Sequence, residues 1–124
     1  MILTSKYVKR TNGTELLCEE KENWNFNAPH SFLLVIPDEE NEDICTPITE
    51  LHFQEGPIKE VGVNGFSDAD LLLAVLTRME AFQETQYACE ENDKVIEYLN
   101  KALEAMYSRT AKREARNVEG TSEV

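Results

Sequence analysis

Long apolar runs and paired cysteines are missing from this chain of 124 residues. No segment approaches the ~20 consecutive apolar residues of a membrane-spanning helix, and the first residues lack the apolar run of a signal peptide. The three cysteines, Cys18, Cys45 and Cys89, are an odd number without a CxxC pair. That pattern predicts free thiols in a reducing cytosol rather than a disulfide framework. We therefore expect a soluble intracellular protein with no membrane partner.

Basic residues are scarce as well. The chain has 12 Lys and Arg against 24 Asp and Glu, which gives a formal net charge of −12. Nucleic-acid binding needs a basic footprint, so the acidic bias argues against DNA as a partner. It is compatible with a small anionic ligand, because one pocket needs only a few well-placed cations.

Catalytic and metal-binding signatures are also absent. The two histidines, His30 and His52, stand in no HxH or HExxH spacing, and there is no CxxC pair. No G-x-S-x-G elbow, Gly-rich P-loop or dinucleotide fingerprint occurs. The sequence therefore predicts a binding protein with no catalytic residues, no metal site and no cofactor.

The first half of the chain has the pattern of strands and turns. Asn12-Gly13, a typical two-residue hairpin turn, separates candidate strands at 6–11 and 14–18. The apolar run at 32–36 ends at Pro37 and predicts a buried strand. Further candidate strands lie at 48–53 and 58–63. The segment 38–43 has five acids among six residues and predicts a solvated loop.

After residue 65 the apolar residues recur at helical spacing. Ser67 and Asp70 resemble a capping box at the start of the first helix, and a second helix is predicted from about 88 to about 116. The apolar stripes consist of Leu72, Val75, Leu76, Met79 and Phe82, and then of Ala88, Asn92, Val95, Ile96, Leu99, Ala102, Leu103 and Met106. We predict an α+β fold, with a small antiparallel β region at 1–65, a long antiparallel helical hairpin at 66–118 and a frayed tail at 119–124.

The length of the second helix predicts assembly. At about 1.5 Å per residue, a helix over 88–116 is roughly 43 Å long, whereas a compact globule of this size has a radius of gyration of about 14 Å. The apolar stripe is then longer than its own chain can cover, so pairing with a second copy is expected. The alternative is a monomer in which the β region folds back along the hairpin.

The candidate ligand-binding residues begin with a cluster of cations. Arg109, Lys112, Arg113 and Arg116 are four of the twelve basic residues and lie within eight positions. On a helix, Arg109, Arg113 and Arg116 share one face, and guanidinium groups can bind the oxygens of a pyrophosphate in parallel pairs. The alternative is structural, since cations at a helix C-terminus complement the macrodipole.

Two further candidates lie near the turn between the helices. Asn92 interrupts an apolar stripe, so it either binds a base or ribose or fixes the helix register. Phe82 either stacks on a purine or packs at the hairpin tip. Asn92 and Arg109 are 17 positions apart, or roughly 25 Å along a helix. If all these residues bind one small ligand, the site must be shared between two antiparallel subunits.

Parts of the second half resemble a helical-hairpin module of phage proteins, the nucleotide sponges that act against Thoeris and CBASS immunity. The similar segments lie within residues 57–121, a span of about half the chain. They are PIKEVGVNG at 57–65, DLLLA at 70–74, FQ at 82–83, ACEEN at 88–92 and SRTAKREARNVEGT at 108–121. The β region at 1–65 distinguishes this chain from the shorter anti-CBASS sponges and makes it similar to the Thoeris anti-defence family that was described first.

That resemblance implies a function and a partner. It implies non-enzymatic capture of glycocyclic ADP-ribose, the signal made by a TIR-domain enzyme, in the cytoplasm of an infected bacterial host. It implies that Phe82 stacks on adenine, Asn92 binds the polar edge of the ligand, and Arg109 and Arg113 bind the pyrophosphate. It also implies a homodimer or a trimer of dimers, with cyclic oligonucleotides as ligands at a second site.

Three other functions stay open at this point. The first is a sponge for the cyclic oligonucleotides of CBASS signalling. The second is an acidic phage protein that inhibits a host protein directly, as a mimic of DNA would. The third is a hydrolase that degrades the nucleotide signal.

Overall fold

The computed structural model of the protein describes residues 3–5, 13–41 and 43–124. The strands come first and the long helices follow, which confirms the predicted α+β class. The chain divides into two compact units, Met1–Gly56 with Val63–Gly65, and Pro57–Gly62 with Phe66–Val124. The elements in chain order are β1 (Leu3–Ser5), β2 (Glu15–Glu19), a 3-10 turn (Lys21–Asn23), β3 (Ser31–Pro37), β4 (Cys45–His52), α1 (Ile58–Val61), α2 (Asp68–Phe82) and α3 (Glu90–Ala115).

The strands of the first unit form one antiparallel sheet in the order β1-β2-β3-β4. Its most buried side chains are Cys18 on β2 and Val35 on β3, each 1% exposed. At the end of β3 where the chain enters, Phe32 contacts Phe53 edge to face, with 5.6 Å between the ring centroids. Such aromatic pairs add to the stabilisation that burial provides.

A register shift in the sheet explains the position of Pro47. Leu34 pairs with Thr49, but Val35 pairs with Pro47, so one residue of β4 is left over between them. Proline has no N–H to donate to a ladder, and a bulge is one of the few places where a sheet tolerates it. Next to this bulge, the predicted burial of the whole run 32–36 is wrong. Val35 alone is buried and Ile36 is 46% exposed, because successive side chains of a strand point to opposite faces.

The strand predicted at 58–63 is wrong, because α1 is a short helix at Ile58–Val61. Pro57 precedes it with a φ of −66°, the value to which the pyrrolidine ring restricts it. Gly62 ends it with a φ of 80°, which a residue without Cβ adopts at little steric cost. The strand predicted at 6–11 lies outside the described residues; in the structure β2 pairs with β1.

The helices α2 and α3 contact each other within the second unit. The predicted capping box is confirmed, since the Asp70 N–H donates to Ser67 Oγ at 3.1 Å and the Ser67 N–H donates to the Asp70 carboxylate at 3.4 Å. Leu76 and Leu103 are the buried apolar side chains of the pair. No helix in the described part of the chain is long and apolar enough to span a bilayer. The antiparallel hairpin and its oligomerisation stay predictions.

Most of residues 119–124, the tail predicted to fray, make hydrogen bonds. The Lys59 N–H donates to the Gly120 carbonyl at 2.8 Å, and the Ser122 hydroxyl donates to the Glu60 carboxylate at 3.1 Å. These contacts attach the segment after α3 to α1. The sequence could not indicate them, because the partners are about 60 positions apart in the chain.

Substitution of Gly65 tests how closely its backbone packs against the end of β4. A Cβ at Gly65 would lie 2.5 Å from the Phe53 carbonyl carbon and 2.7 Å from the His52 carbonyl oxygen. Because backbone atoms cannot move aside as a side chain can, we expect Gly65→Ala to lower the free energy of unfolding by about 3 kcal/mol. Urea denaturation measures it.

Gly13→Ala, in the same unit, is the matched control. Gly13 has a φ of 77° but no neighbouring atom within 4 Å of an added Cβ, so its substitution should cost only about 1–2 kcal/mol of backbone strain. Equal losses for the two variants would contradict the close contact at Gly65.

Candidate functional site

The candidate site lies at the C-terminal end of α3, where the chain reverses direction. Asn117 has a φ of 59°, a left-handed conformation that asparagine tolerates better than most residues. The Val118 N–H donates to the Arg113 carbonyl at 3.0 Å and the Asn117 N–H to the Glu114 carbonyl at 3.0 Å. This is the hydrogen-bond pattern of a Schellman motif. It brings the following residues back against the last turns of the helix.

A tight turn at 118–121 follows the Schellman motif. The Thr121 N–H donates to the Val118 carbonyl at 3.1 Å, and Gly120 has a φ of 78°, as a type II turn requires at its third position. The Thr121 hydroxyl donates to the same Val118 carbonyl at 2.5 Å. The turn thereby directs two backbone carbonyls, those of Val118 and Thr121, at the side chain of Arg113.

Arg113 is a buried cation, only 8% exposed. Its Nε donates to Glu119 Oε2 at 3.2 Å, and its Nη2 donates to the carbonyls of Val118 at 2.9 Å and Thr121 at 3.3 Å. A charge that leaves water needs such partners. Among the described residues, none accepts a hydrogen bond from Nη1. The sequence predicted Arg113 as a ligand-binding residue but did not predict its burial.

The predicted arginines Arg109, Arg113 and Arg116 come together around a cleft of about 500 Å³. Arg109 and Lys112 are exposed, while Arg116 Nη1 donates to the backbone oxygen of Val124 at 2.9 Å. The cleft is lined by Ala105, Ser108, Arg109, Lys112, Arg113, Arg116 and Val124. Guanidinium and ammonium groups at this density bind phosphate oxygens well.

Phe82 lies at the opposite end of the helical unit, as the last residue of α2. Its side chain is 38% exposed, and the Arg78 guanidinium carbon is 5.5 Å from the centre of its ring. That contact is within the range of a cation–π interaction. The ring is therefore held at the surface, where a flat base could stack on it.

Asn92 follows the turn between α2 and α3 and is bonded to that turn. Its Nδ2 donates to Gln83 Oε1 at 3.0 Å and to the Tyr87 carbonyl at 3.2 Å. Both bonds use the amide nitrogen, so in the described part of the chain its Oδ1 has no hydrogen-bond partner. The predicted contact of Asn92 with a ligand stays a prediction.

Gln83 is a residue of this region that the sequence reasoning missed. Its Nε2 donates to the Cys89 carbonyl at 3.0 Å and to Asp93 Oδ1 at 2.8 Å. Its Oε1 accepts from the Cys89 N–H at 3.0 Å and from Asn92. One amide therefore connects the end of α2 to the start of α3. The one signal for Gln83 in the sequence is that it follows Phe82 in a segment similar to the sponges.

The two groups of predicted residues are not brought together within one chain. Asn92 lies in the first turn of α3 and Arg109 near its last turns, and 17 helical positions span roughly 25 Å. The histidines are engaged elsewhere, in the sheet unit: His30 Nε2 bonds the Asn25 carbonyl at 2.6 Å, and His52 Nδ1 bonds Ser31 Oγ at 2.9 Å. Among residues 13–41 and 43–124, no group of three potential metal ligands is found.

The chain was compared with models of protein families and with individual known proteins. No family model matches the chain. The chain is similar to the protein Thoeris anti-defense 1 of Bacillus phage SBSphiJ7, with 35% identity over 131 aligned positions. The alignment covers 91% of this chain and 92% of that relative, so the similarity includes the sheet as well as the helices.

Gln83→Ala tests the role of this amide at the turn. The variant loses hydrogen bonds to three partners, and exposed bonds of this kind contribute about 0.5 kcal/mol each or more. We expect the free energy of unfolding to fall by about 1–2 kcal/mol and the Cys89 amide hydrogen to exchange faster with solvent. Gln86→Ala, in the same turn and exposed, is the control. Unchanged exchange at Cys89 in the Gln83 variant would contradict this role.

Proposed function

The chain belongs to the Thoeris anti-defense 1 family, and from this premise we propose that it is a phage protein that counteracts Thoeris immunity by sequestering a nucleotide signal. The proposed ligand is glycocyclic ADP-ribose, and the proposed site of action is the cytoplasm of the infected host. The relative's name supports the anti-Thoeris function. The ligand rests on the residues of the cleft.

One observation supports the ligand class above the others. In a chain with a net charge of −12, four cations surround a single cleft at the end of α3. The cleft is small, about 500 Å³, which suits a small molecule better than an extended nucleic acid. A diphosphate is the anionic group of an ADP-ribose isomer, and its charge matches such a cluster.

The cations have distinct parts in this proposal. Arg109 is exposed and free to turn toward a phosphate, while Arg113 is fixed, with its Nη1 available. Two guanidinium groups four residues apart on one helix face can bind the two phosphates of one diphosphate. Lys112 and Arg116 add positive charge around them, which further favours an anion.

The nucleoside half of the ligand would bind to Phe82 and Asn92. The exposed Phe82 ring offers a stacking surface, worth about 1–3 kcal/mol for a base, and Asn92 Oδ1 can accept a hydrogen bond from an exocyclic amine. Because these residues lie at the other end of α3 from Arg109, they would come from a second subunit. The complete site is then shared by two antiparallel copies of the chain.

Binding without cleavage agrees with the chemistry of the cleft. Its lining has one hydroxyl, Ser108, and no histidine, and the carboxylate of Glu119 is engaged by Arg113, whereas proton transfer at neutral pH most often uses an available histidine or carboxylate. A protein of this kind lowers the concentration of free signal, and the effector that the signal would activate, an NAD-consuming enzyme, stays inactive.

The fate of the ligand tests the proposal directly. The protein is incubated with glycocyclic ADP-ribose and then denatured by heat, and the released nucleotide is identified by mass spectrometry. We expect intact ligand from the wild type and a tenfold or greater loss of bound ligand in Arg109→Ala, since a charged hydrogen bond contributes about 1.5–3 kcal/mol. Lys101→Ala is the control on the same helix, because Lys101 does not line the cleft and pairs with Glu97 at an exposed position.

Other outcomes would identify a different function. Recovery of linear ADP-ribose would establish a hydrolase. Retention of cyclic oligonucleotides alone would establish a CBASS sponge. If Arg109→Ala still protected phage in infected cells, direct inhibition of a host protein would replace sequestration.

Subunit mixing tests whether the site is shared. Phe82→Ala and Arg113→Ala chains should each bind ligand weakly, but a mixed dimer has one site with neither substitution. We expect each mixed dimer to regain up to about half the binding capacity of a wild-type dimer, measured after denaturation and refolding together. The control mixes Phe82→Ala chains with Phe82→Ala chains that carry a second tag. These chains also exchange subunits, but no dimer among them has an intact site. Verified mixed dimers without recovered binding would contradict the shared site.

A further inference from the structure

Glu119 is placed where a site for anions should not have a carboxylate. It is the one acidic side chain of the described residues that forms an ion pair with a cation of the cleft. A negative charge beside a diphosphate is repulsive, about 1 kcal/mol at 4 Å even in bulk water. Its presence therefore needs either a compensating benefit or a reason connected with regulation.

The contacts of Arg113 indicate that the carboxylate of Glu119 has a compensating benefit. Glu119 accepts from Nε, and the carbonyls of Val118 and Thr121 accept from Nη2. In a planar guanidinium, Nε–H and one N–H of Nη2 lie on the same edge. Glu119 therefore binds at this edge, the two carbonyls bind the neighbouring Nη2, and Nη1 has no acceptor among the described residues.

The segment that provides these acceptors is itself well fixed. Asn117 reverses the chain, Gly120 allows the tight turn, and the Gly120 carbonyl accepts from the Lys59 N–H at 2.8 Å. Residues 118–121, which we call the clasp, therefore have a defined position before any ligand binds. A segment that had to leave the site on ligand binding would not need these additional bonds to α1.

We propose that Glu119 is a positioning residue: with the rest of the clasp it holds the guanidinium of Arg113 in one orientation, so that Nη1 is presented to a phosphate of the ligand. The proposal rests on the proposed function for its ligand, a diphosphate. The fixing of Arg113 by Glu119 is a property of the protein without ligand and can be tested separately. Fixing a long side chain in advance lowers the entropy lost on binding.

The first test uses the protein without ligand. In a proton–nitrogen NMR spectrum of arginine side chains, assigned with Arg113→Lys, the Arg113 Nε–H should exchange slowly with water because it is hydrogen-bonded and buried. Glu119→Gln preserves an acceptor oxygen and should retain this slow exchange, whereas Glu119→Ala should accelerate it at least tenfold. Equal exchange in the Gln and Ala variants would overturn the proposal.

The second test compares affinities for glycocyclic ADP-ribose and for inorganic pyrophosphate by calorimetry. Glu119→Gln should bind at least as tightly as the wild type, since it retains the geometry and removes a repulsive charge. Glu119→Ala should bind about three- to tenfold more weakly than Glu119→Gln, because Arg113 is then ordered only on binding. Tighter or equal binding by the Ala variant would identify Glu119 as a competitor of the ligand and overturn the proposal.

A control and a separate outcome complete the design. Glu114→Ala removes an exposed acid next to Arg113 that does not line the cleft, so it reports the effect of charge alone and should not weaken binding. If the wild type binds neither ligand, the proposed function fails, and the exchange of the Arg113 Nε–H still decides whether Glu119 positions the guanidinium.

Discussion

Electrostatic repulsion among cations is the constraint that shapes the end of α3. Arg109 with Arg113, and Lys112 with Arg116, are like-charged pairs at i,i+4, and each destabilises a helix by a few tenths of a kcal/mol. The chain offsets this repulsion in three ways. The C-terminal end of the helix dipole favours cations, Glu119 pairs with Arg113, and backbone oxygens after the helix accept from Arg113 and Arg116. The segment at 118–124 is therefore part of the site.

The two ends of α3 are electrostatically opposite. Its first turn contains Glu90, Glu91 and Asp93, and its last turn contains Lys112 and Arg113. This polarity stabilises the helix, since acids favour the N-terminus and bases the C-terminus of the macrodipole. It also separates the two parts of the proposed ligand site. An anionic group is attracted to the basic end, whereas the end with Phe82 and Asn92 suits an uncharged base, and an antiparallel partner would bring one of each together.

Local signals made some of the structure predictable. The start of α2 followed from Ser67 and Asp70, whose side chains each accept from the other's N–H across one turn, and the strand β3 followed from an apolar run ended by Pro37. The arginines at 109, 113 and 116 were brought to one cleft because helical spacing alone determines which residues share a face. In each case the partners lie within a few residues of one another.

Contacts between distant residues were not predictable. Segment 58–63 has a strand-like composition, yet Pro57 and Gly62 bound a short helix, and α1 bonds to Gly120 and Ser122 across about 60 positions. Asn92 was an anomaly in an apolar stripe, but its partner Gln83 lies across a turn whose shape the sequence does not specify. The burial of Arg113 likewise depends on the path of the chain after Asn117, which combines a Schellman motif with a second turn.

A crystal structure of the protein with glycocyclic ADP-ribose tests the central claim most directly. The account predicts that the diphosphate lies within hydrogen-bond distance of Arg109 and of Nη1 of Arg113 from one subunit, with the clasp in place and the adenine on Phe82 of another subunit. A diphosphate bound away from the end of α3, or a ligand enclosed by residues of a single chain, would contradict it.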